Sequence, residues 1–350
     1  MLIFEKVIGM VSNKRLNKAS KAKNDEFYTL YDDIQAEINN FEDSFADKVV
    51  LCNCDDPFES NFSKFFLRNF NYLKLKRLIC TSYAGSSIVG TQLSLFDDYN
   101  EPVEKRRGYV LDISNVPMAN GRGVSDDDIK SLLHQPGIVK RLKGDGDYKS
   151  SECLSYLKQA DIVVTNPPFS KFREFVKTLF KFHKKFLIIG NQNAITYKEI
   201  FPLIKDNKMW LGKPFKGNVG FFKSPYEDIA KASQHKEGTI RVSGIMWYTN
   251  LDYDRRHEPM ILYKKYNADE YPKYDNYDAI RVHKTAEIPL DYDGLMVVPI
   301  TFLPKWSPEQ FEIVGEANHG SDGPWDLFKP IMNGKNEYKR LVIRNKKVQK

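Results

Sequence analysis

Residues 160–169 read ADIVVTNPPF, an apolar run that stops abruptly at Asn166, Pro167, Pro168 and Phe169. These residue types in this order suit the activation of an amine attached to an aromatic ring. Such an amine is a poor nucleophile, because its lone pair is delocalised into the ring. The Asn166 side-chain oxygen and the Pro167 carbonyl can each accept one amine hydrogen, which draws the nitrogen toward tetrahedral geometry and turns its lone pair outward. Two prolines stiffen the holder, since each fixes φ and removes a backbone donor. Phe169 offers a flat face for the ring that carries the amine. No strong base is required, because the proton leaves only as positive charge develops on nitrogen, and alignment supplies most of the rate. The competing reading of the same residues is a plain turn closing a strand.

Three further clusters carry potential ligands. In GDGDYKS (144–150) a carboxylate at Asp147 can accept the amino group of an adenine while Tyr148 lies against the ring. The same Asp- and Ser-rich stretch equally suits a helix start. CNCDDPF (52–58) stands where a nucleotide-binding sheet usually has a glycine-rich turn, yet it contains no glycine. Glycines there normally let the backbone approach the ligand; here Asp55 and Asp56, followed by Pro57, can bind an ammonium or ribose hydroxyls, or serve as ordinary turn acids. NDEFYTL (24–30) places Phe27, Tyr28 and Thr29 ahead of the first strand, where they can close over one end of a cofactor. Helical spacing alone makes that stretch a helix start with Phe27 and Tyr28 packed beneath. Cys52, Cys54, Cys80 and Cys153 show no paired spacing, so neither a zinc site nor a disulfide framework is expected, and no metal is called for.

Holding these clusters together requires a sheet. KVVLCNC, RLICTSY, ADIVVT and KKFLIIG read as short continuous apolar strands. They alternate with helical patterns at 60–70, 150–159 and KFREFVKTLFKFH, which implies an α/β fold with a doubly wound, mostly parallel sheet covered on both faces. In such sheets ligands sit beyond the carboxyl ends of the strands, so CDDP, TSY, GDGDY and TNPPF should share one rim. Residues 25–41 predict a helix through Leu30, Ile34 and Ile38. Residues 84–140 form an insertion with one strand (GYVLDI) and one helix opened by Ser125 and three acids. VSGIMWYTNL and PMILYKKY suggest an antiparallel pair, and SPEQFEIVG marks a helix start, with Ser307 as cap, Pro308 in the first turn and Gln310 completing a capping box.

At 350 residues and 41% hydrophobic content the chain can bury one large domain and a smaller one. No apolar run reaches membrane-spanning length and the N-terminus lacks a secretory pattern, which predicts a reduced, cytoplasmic protein. The net charge of +7 is uneven: +5 over residues 1–24, +6 over 334–350 and −4 over the body between. Basic ends on a near-neutral body suit neutralisation of a polyanion, although Lys-rich tails are as often merely solvated.

Asn-Pro-Pro-aromatic resembles the loop of amino-group methyltransferases that use S-adenosylmethionine. DEFYT, VVLCNCDDP, KGDGDY and ADIVVTNPPFS in this order, followed by KKFLIIGN and TYKEIFPLI, more closely resemble the EcoRI-type DNA adenine-N6 methyltransferases. The resemblance spans about residues 20–345. It implies a class I methyltransferase (Rossmann-like) fold and a catalytic loop at Asn166, Pro167, Pro168 and Phe169. It also implies cofactor binding by Phe27, Tyr28, Thr29, Asp55, Asp56, Pro57, Asp147 and Tyr148. The product would be S-adenosylhomocysteine. One departure concerns the ribose: methyltransferase second strands usually end in an acid, but this one ends in Tyr83. Asp55, Asp56 or an acid of the insertion must then take the hydroxyls.

The resulting expectation is a basic arm at 1–24, a catalytic domain at 25–266 and a smaller mixed region for DNA recognition at 267–350. Double-stranded DNA is the expected partner. Arg106, Arg107, Arg122, Arg255 and Arg256 are candidate contacts, the target adenine is flipped from the duplex, and a cognate restriction endonuclease acts separately or not at all. A monomer without membrane attachment is expected. Two other readings compete: methylation of a protein glutamine, and a catalytically silent DNA-binding protein on the same fold. The basic termini and the large downstream region speak against the first, and the intact Asn166–Phe169 loop against the second.

Overall fold

The computed structural model describes residues 28–84, 107–118, 123–223 and 239–349. The basic arm, Phe27, Arg106 and Arg122 lie outside the described residues. Along the chain, β1 (Tyr28–Thr29) leads into α1 (Tyr31–Ile38), β2 (Val49–Cys52), α2 (Asn61–Arg68) and β3 (Arg77–Thr81). Then come β4 (Tyr109–Ile113), α3 (Asp126–Leu133), β5 (Val139–Arg141), α4 (Ser151–Gln159), β6 (Ile162–Thr165), α5 (Phe172–Lys181) and β7 (Lys185–Asn191). Next are α6 (Phe201–Lys205), β8 (Trp210–Leu211), β9 (Val219–Lys223), β10 (Thr239–Ser243) and β11 (Ile245–Thr249). The described residues divide into two compact units, one within Met1–Gln192 and Lys213–Leu251, the other within Asn193–Gly212 and Asp252–Lys350.

The first unit is built on a sheet with the order β5-β4-β3-β2-β6-β7-β11. Its centre is parallel, β3 on β2, β2 on β6 and β6 on β7. Both β2 and β6 are buried along their whole length, as strands covered on two faces must be. The flanks are antiparallel: β4 pairs with β3, β5 with β4, and β11 with β7. The sheet is therefore mixed rather than mostly parallel. The stretch expected as an insertion supplies β4 and β5, which extend the sheet beyond β3. α5 buries Phe172, Phe175, Val176 and Leu179, the stripe its spacing predicts. α3 begins where the sequence indicates, with Ser125 and Asp128 forming a reciprocal capping box.

Three local expectations are corrected. The helix expected over 25–41 is interrupted at its start: Tyr28 and Thr29 pair with β9 as a strand, and Leu30 holds extended dihedrals as the N-cap of α1. A β-branched and an aromatic residue side by side favour that pairing. β11 pairs with β7, with Trp247 opposite Ile189, and not with PMILYKKY, because its wholly buried side chains extend the central sheet. SPEQFEIVG does not open a helix; Phe311–Asn318 is β14 of the second unit, defined below. There the Gln310 side chain exchanges two hydrogen bonds with the Met260 backbone, at 2.6 and 3.0 Å, and so takes no part in a cap.

The second unit contains β12 (Ala279–Arg281), β13 (Leu295–Val298), β14 (Phe311–Asn318), β15 (Asp326–Phe328) and, after the short pair β16 (Ile331–Met332) and β17 (Lys335–Asn336), β18 (Arg340–Asn345). They form a mixed sheet of order β12-β13-β18-β14-β15 over a core that includes Tyr274, Ala279, Val297, Ala317 and Val342. Arg256 is buried here, its guanidinium 3.7 Å from the centre of the Trp210 ring, so this member of the Arg255–Arg256 pair is a structural cation.

Candidate active site

Because β2, β3 and β6 run parallel, with Cys52 opposite Cys80 and Leu51 opposite Val163, their carboxyl ends open on one edge. Asn53–Pro57, Ser82–Ala84 and Asn166–Phe169 continue from those ends. The 144–148 loop is tied to the same edge through the backbone, Ala84 N–H donating to the Asp145 carbonyl (2.7 Å) and Gly108 N–H to the Gly144 carbonyl (3.0 Å). Gly146 has φ +83°, and a Cβ there would lie 2.0 Å from the Ser82 carbonyl oxygen. This approach requires glycine. The four clusters thus share the rim that the alternation of strands and helices implied.

Asp55 is buried behind the catalytic-loop candidate. Its backbone N–H donates to the Thr81 carbonyl (3.2 Å), while its carboxylate accepts the Ser60 hydroxyl on Oδ1 (2.7 Å) and the Thr165 hydroxyl on Oδ2 (2.5 Å). The Asn166 backbone N–H also donates to it. Burial raises the carboxyl to about 7, working against those hydrogen bonds, which favour the charged form. Asp56 is differently engaged. Its Oδ1 accepts the Phe58 and Glu59 N–H groups (2.8 and 3.0 Å), fixing the turn into α2. Its Oδ2 is buried and makes no hydrogen bond among the described residues. Burial, again the largest cause, lifts this carboxyl to about 6. Pro57 is buried in the same turn.

Tyr148 is buried, with its ring edge-on to Phe175 at 5.1 Å between centroids. Burial pushes its phenol well above the ordinary value. Asp147 is half-exposed, and its Oδ1 accepts the Lys149 N–H (2.9 Å). Ser150 caps α4 by accepting the Cys153 N–H (3.1 Å), so the stretch serves as a helix start and as part of the rim at once. Lys171 Nζ is near two aromatic rings, 5.6 Å from the centre of Tyr83 and 6.0 Å from that of Tyr148. The tyrosine standing where an acid was expected is thus next to a cation.

Thr29 is buried, and its carbonyl accepts the Asn61 side-chain amide (2.7 Å), which ties β1 to α2. In the 166–169 loop Pro167 is buried, while Asn166, Pro168 and Phe169 are half-buried. Phe169 opens a single 3-10 turn, Phe169–Lys171, closed by the Lys171 N–H on the Pro168 carbonyl (2.9 Å), before α5 begins.

These residues suit a polar, adenine-bearing cofactor. Among the described residues, Thr29 Oγ1, Asn53 Oδ1, Asp56 Oδ2, Thr81 Oγ1 and Tyr148 Oη are all buried without a hydrogen-bond partner. Buried polar groups are normally paired, so four such atoms at the edge of the central sheet, with Thr29 Oγ1 on β1 of the separate β1-β9-β10 sheet, fit a ligand rich in hydroxyl, amino and carboxylate groups. Ser60, Thr165, Asn53 and Lys171 went unnoticed in the sequence. Lys171 had a signal, since it is two residues beyond Phe169; Ser60 and Thr165 had none, since their role depends on a carboxylate that only the fold brings to them.

The sequence model of the family described as "Adenine-specific methyltransferase EcoRI" matches residues 15–346. The chain belongs to this family. It is 45% identical to the Type II methyltransferase M.EcoRI of Escherichia coli, over 97% of this chain and 98% of that one. It is also 35% identical to the Type II methyltransferase M.MgeORF184P of Mycoplasma genitalium, over 95% and 99%. For M.MpnI of Mycoplasma pneumoniae, likewise a Type II methyltransferase, the identity is 38% over 85% and 84%. No solved structure matches the chain significantly.

Proposed function

We propose that this protein transfers a methyl group from S-adenosylmethionine to the exocyclic N6 amine of an adenine within a specific sequence of duplex DNA. The observation that carries the reading is TNPPF leaving a buried parallel strand on the rim that also bears Asp56 and Gly146–Tyr148, in a chain of this family. The target adenine is rotated out of the stack at an unstacking cost of a few kcal/mol, and Phe169 supports its ring. The Asn166 side-chain oxygen and the Pro167 carbonyl accept the two amine hydrogens. The bound cofactor supplies a methyl group already activated by sulfonium charge. Asp56 and Thr29 contribute oxygens to hold the cofactor's polar end, and Asp147 and Tyr148 clamp its adenine. The proton on the product amine passes to solvent once positive charge has built up.

We place sequence reading in the second unit and in the basic ends, and assign the protein, as a cytoplasmic monomer, to protection of DNA in a restriction–modification system or to orphan methylation. Among the described residues no helix is long and apolar enough to cross a membrane. Incubation with methyl-tritiated S-adenosylmethionine and unmethylated duplex DNA tests the reading. Label should enter DNA. Label confined to protein would contradict it, and so would DNA binding with no transfer at all.

A further inference from the structure

The catalytic loop candidate begins at Thr165 and Asn166, and both are held by a residue far from them in sequence. The Thr165 hydroxyl donates to Asp55 Oδ2 at 2.5 Å, and the Asn166 backbone N–H also donates to this carboxylate. The other oxygen, Oδ1, accepts the hydroxyl of Ser60, which in turn caps α2 by accepting the Phe62 N–H (3.1 Å). The Asp55 backbone is bonded to Thr81, the last residue of β3. One residue therefore joins the ends of β2, β3 and β6 and the start of α2, its backbone bonded to β3 and its side chain to β6 and α2. Asp55 and Thr165 are 3% and 0% exposed, so neither reaches solvent.

We infer that Asp55 is a positioning residue for methyl transfer: acting through Thr165 and the Asn166 backbone, it fixes where the Asn166–Phe169 loop starts. The ribose and the ammonium of the cofactor are left to other groups, among them Asp56, whose Oδ2 has no protein donor on it among the described residues. This separates two adjacent acids that the sequence treats as equivalent. The first is bonded to the loop; the second is bonded through Oδ1 to the turn into α2, which leaves its Oδ2 for the ligand. The inference rests on the methyl-transfer reading above.

A buried strut makes contact with no reactant, so its loss should change the rate at saturation and leave cofactor affinity alone. A displacement of about 1 Å in a reacting group costs on the order of 100-fold in rate. Thr165→Val removes one donor from Asp55 without changing volume, and Asp55→Asn removes the charge without changing shape. The test measures single-turnover methyl transfer to duplex DNA at saturating cofactor, and the dissociation constant of S-adenosylhomocysteine by calorimetry, for wild type and these variants. Thr165→Val should lower the rate constant ~10- to 100-fold, Thr165→Ser should restore most of it, and Asp55→Asn should lower it while all three keep the wild-type dissociation constant within about threefold. A full rate in Thr165→Val would overturn the inference. So would a tenfold or weaker cofactor affinity in Asp55→Asn with an unchanged saturated rate, which would make Asp55 a cofactor ligand. Asp55→Asn keeps the matter decidable if Thr165→Val does not fold. Failure of the wild-type protein to methylate DNA would instead count against the proposed function, and the two failures are distinguishable.

Discussion

Thr165 Oγ1 and Asp55 Oδ2 lie 2.5 Å apart although 110 positions separate them in the chain. This contact joins the strand that carries the proposed amine-holding loop to the glycine-free turn after β2. A turn without glycine keeps its Cβ atoms, so the backbone cannot approach a ligand as closely. In exchange it offers two carboxylates, one of which reaches back to brace the neighbouring loop. The departure of this turn from the usual pattern thus has a physical use.

The same two acids make stability depend on pH. Burial raises the folded-state values of Asp55 and Asp56 to about 7 and about 6. A carboxyl raised in the fold contributes stability that is fully present below its unfolded value, about 3.9, and is lost as pH rises through the folded value. Between about pH 5 and pH 8 the wild type should therefore lose a few kcal/mol relative to Asp55→Asn, which cannot ionise. Denaturant unfolding of both proteins across that range checks this. A stability difference independent of pH would contradict it.

Gly146 is where the 144–148 loop meets the end of β3. Its φ of +83° and the 2.0 Å separation of a built Cβ from the Ser82 carbonyl make Gly146→Ala doubly unfavourable. We expect a loss of about 2–4 kcal/mol from left-handed strain plus displaced backbone, together with weaker cofactor binding as Asp147 and Tyr148 move. Thermal unfolding and calorimetry read the two effects. Unchanged melting and unchanged affinity would show that the loop tolerates the shift.

Tyr148 is assigned to the adenine of the cofactor. Base–aromatic contact of this kind contributes about 1–3 kcal/mol, so Tyr148→Ser should weaken S-adenosylhomocysteine binding roughly 10- to 100-fold. Tyr148→Phe retains the ring and should fall far less. Equal losses in the two variants would point to the hydroxyl, and no loss in either would remove Tyr148 from the site.

The parts of the fold and of the site legible in sequence are those with local causes. Pro167 and Pro168 announce a rigid loop wherever they stand, Ser125 and Asp128 complete their cap within one helical turn, and the apolar stripe of α5 needs no knowledge of its neighbours. What was missed depends on distant pairing. Tyr28 and Thr29 become a strand because β9 lies beside them, and β11 leaves its expected partner because β7 buries it more completely. Gln310 mimics a capping residue in sequence but spends its amide on Met260, 50 positions away. The division of labour between Asp55 and Asp56 belongs to the same class, since nothing in CDDP distinguishes its two acids.

On the proposed function, the Asn166–Phe169 loop holds an adenine whose N6 accepts the methyl group. Nucleoside mass spectrometry of duplex DNA incubated with the protein and S-adenosylmethionine measures this directly. The wild type should yield N6-methyladenine, and Asn166→Ala should lower its rate of formation by about 100- to 1,000-fold, with cofactor binding largely intact. Methylation on cytosine, or full activity in Asn166→Ala, would contradict this role of the loop.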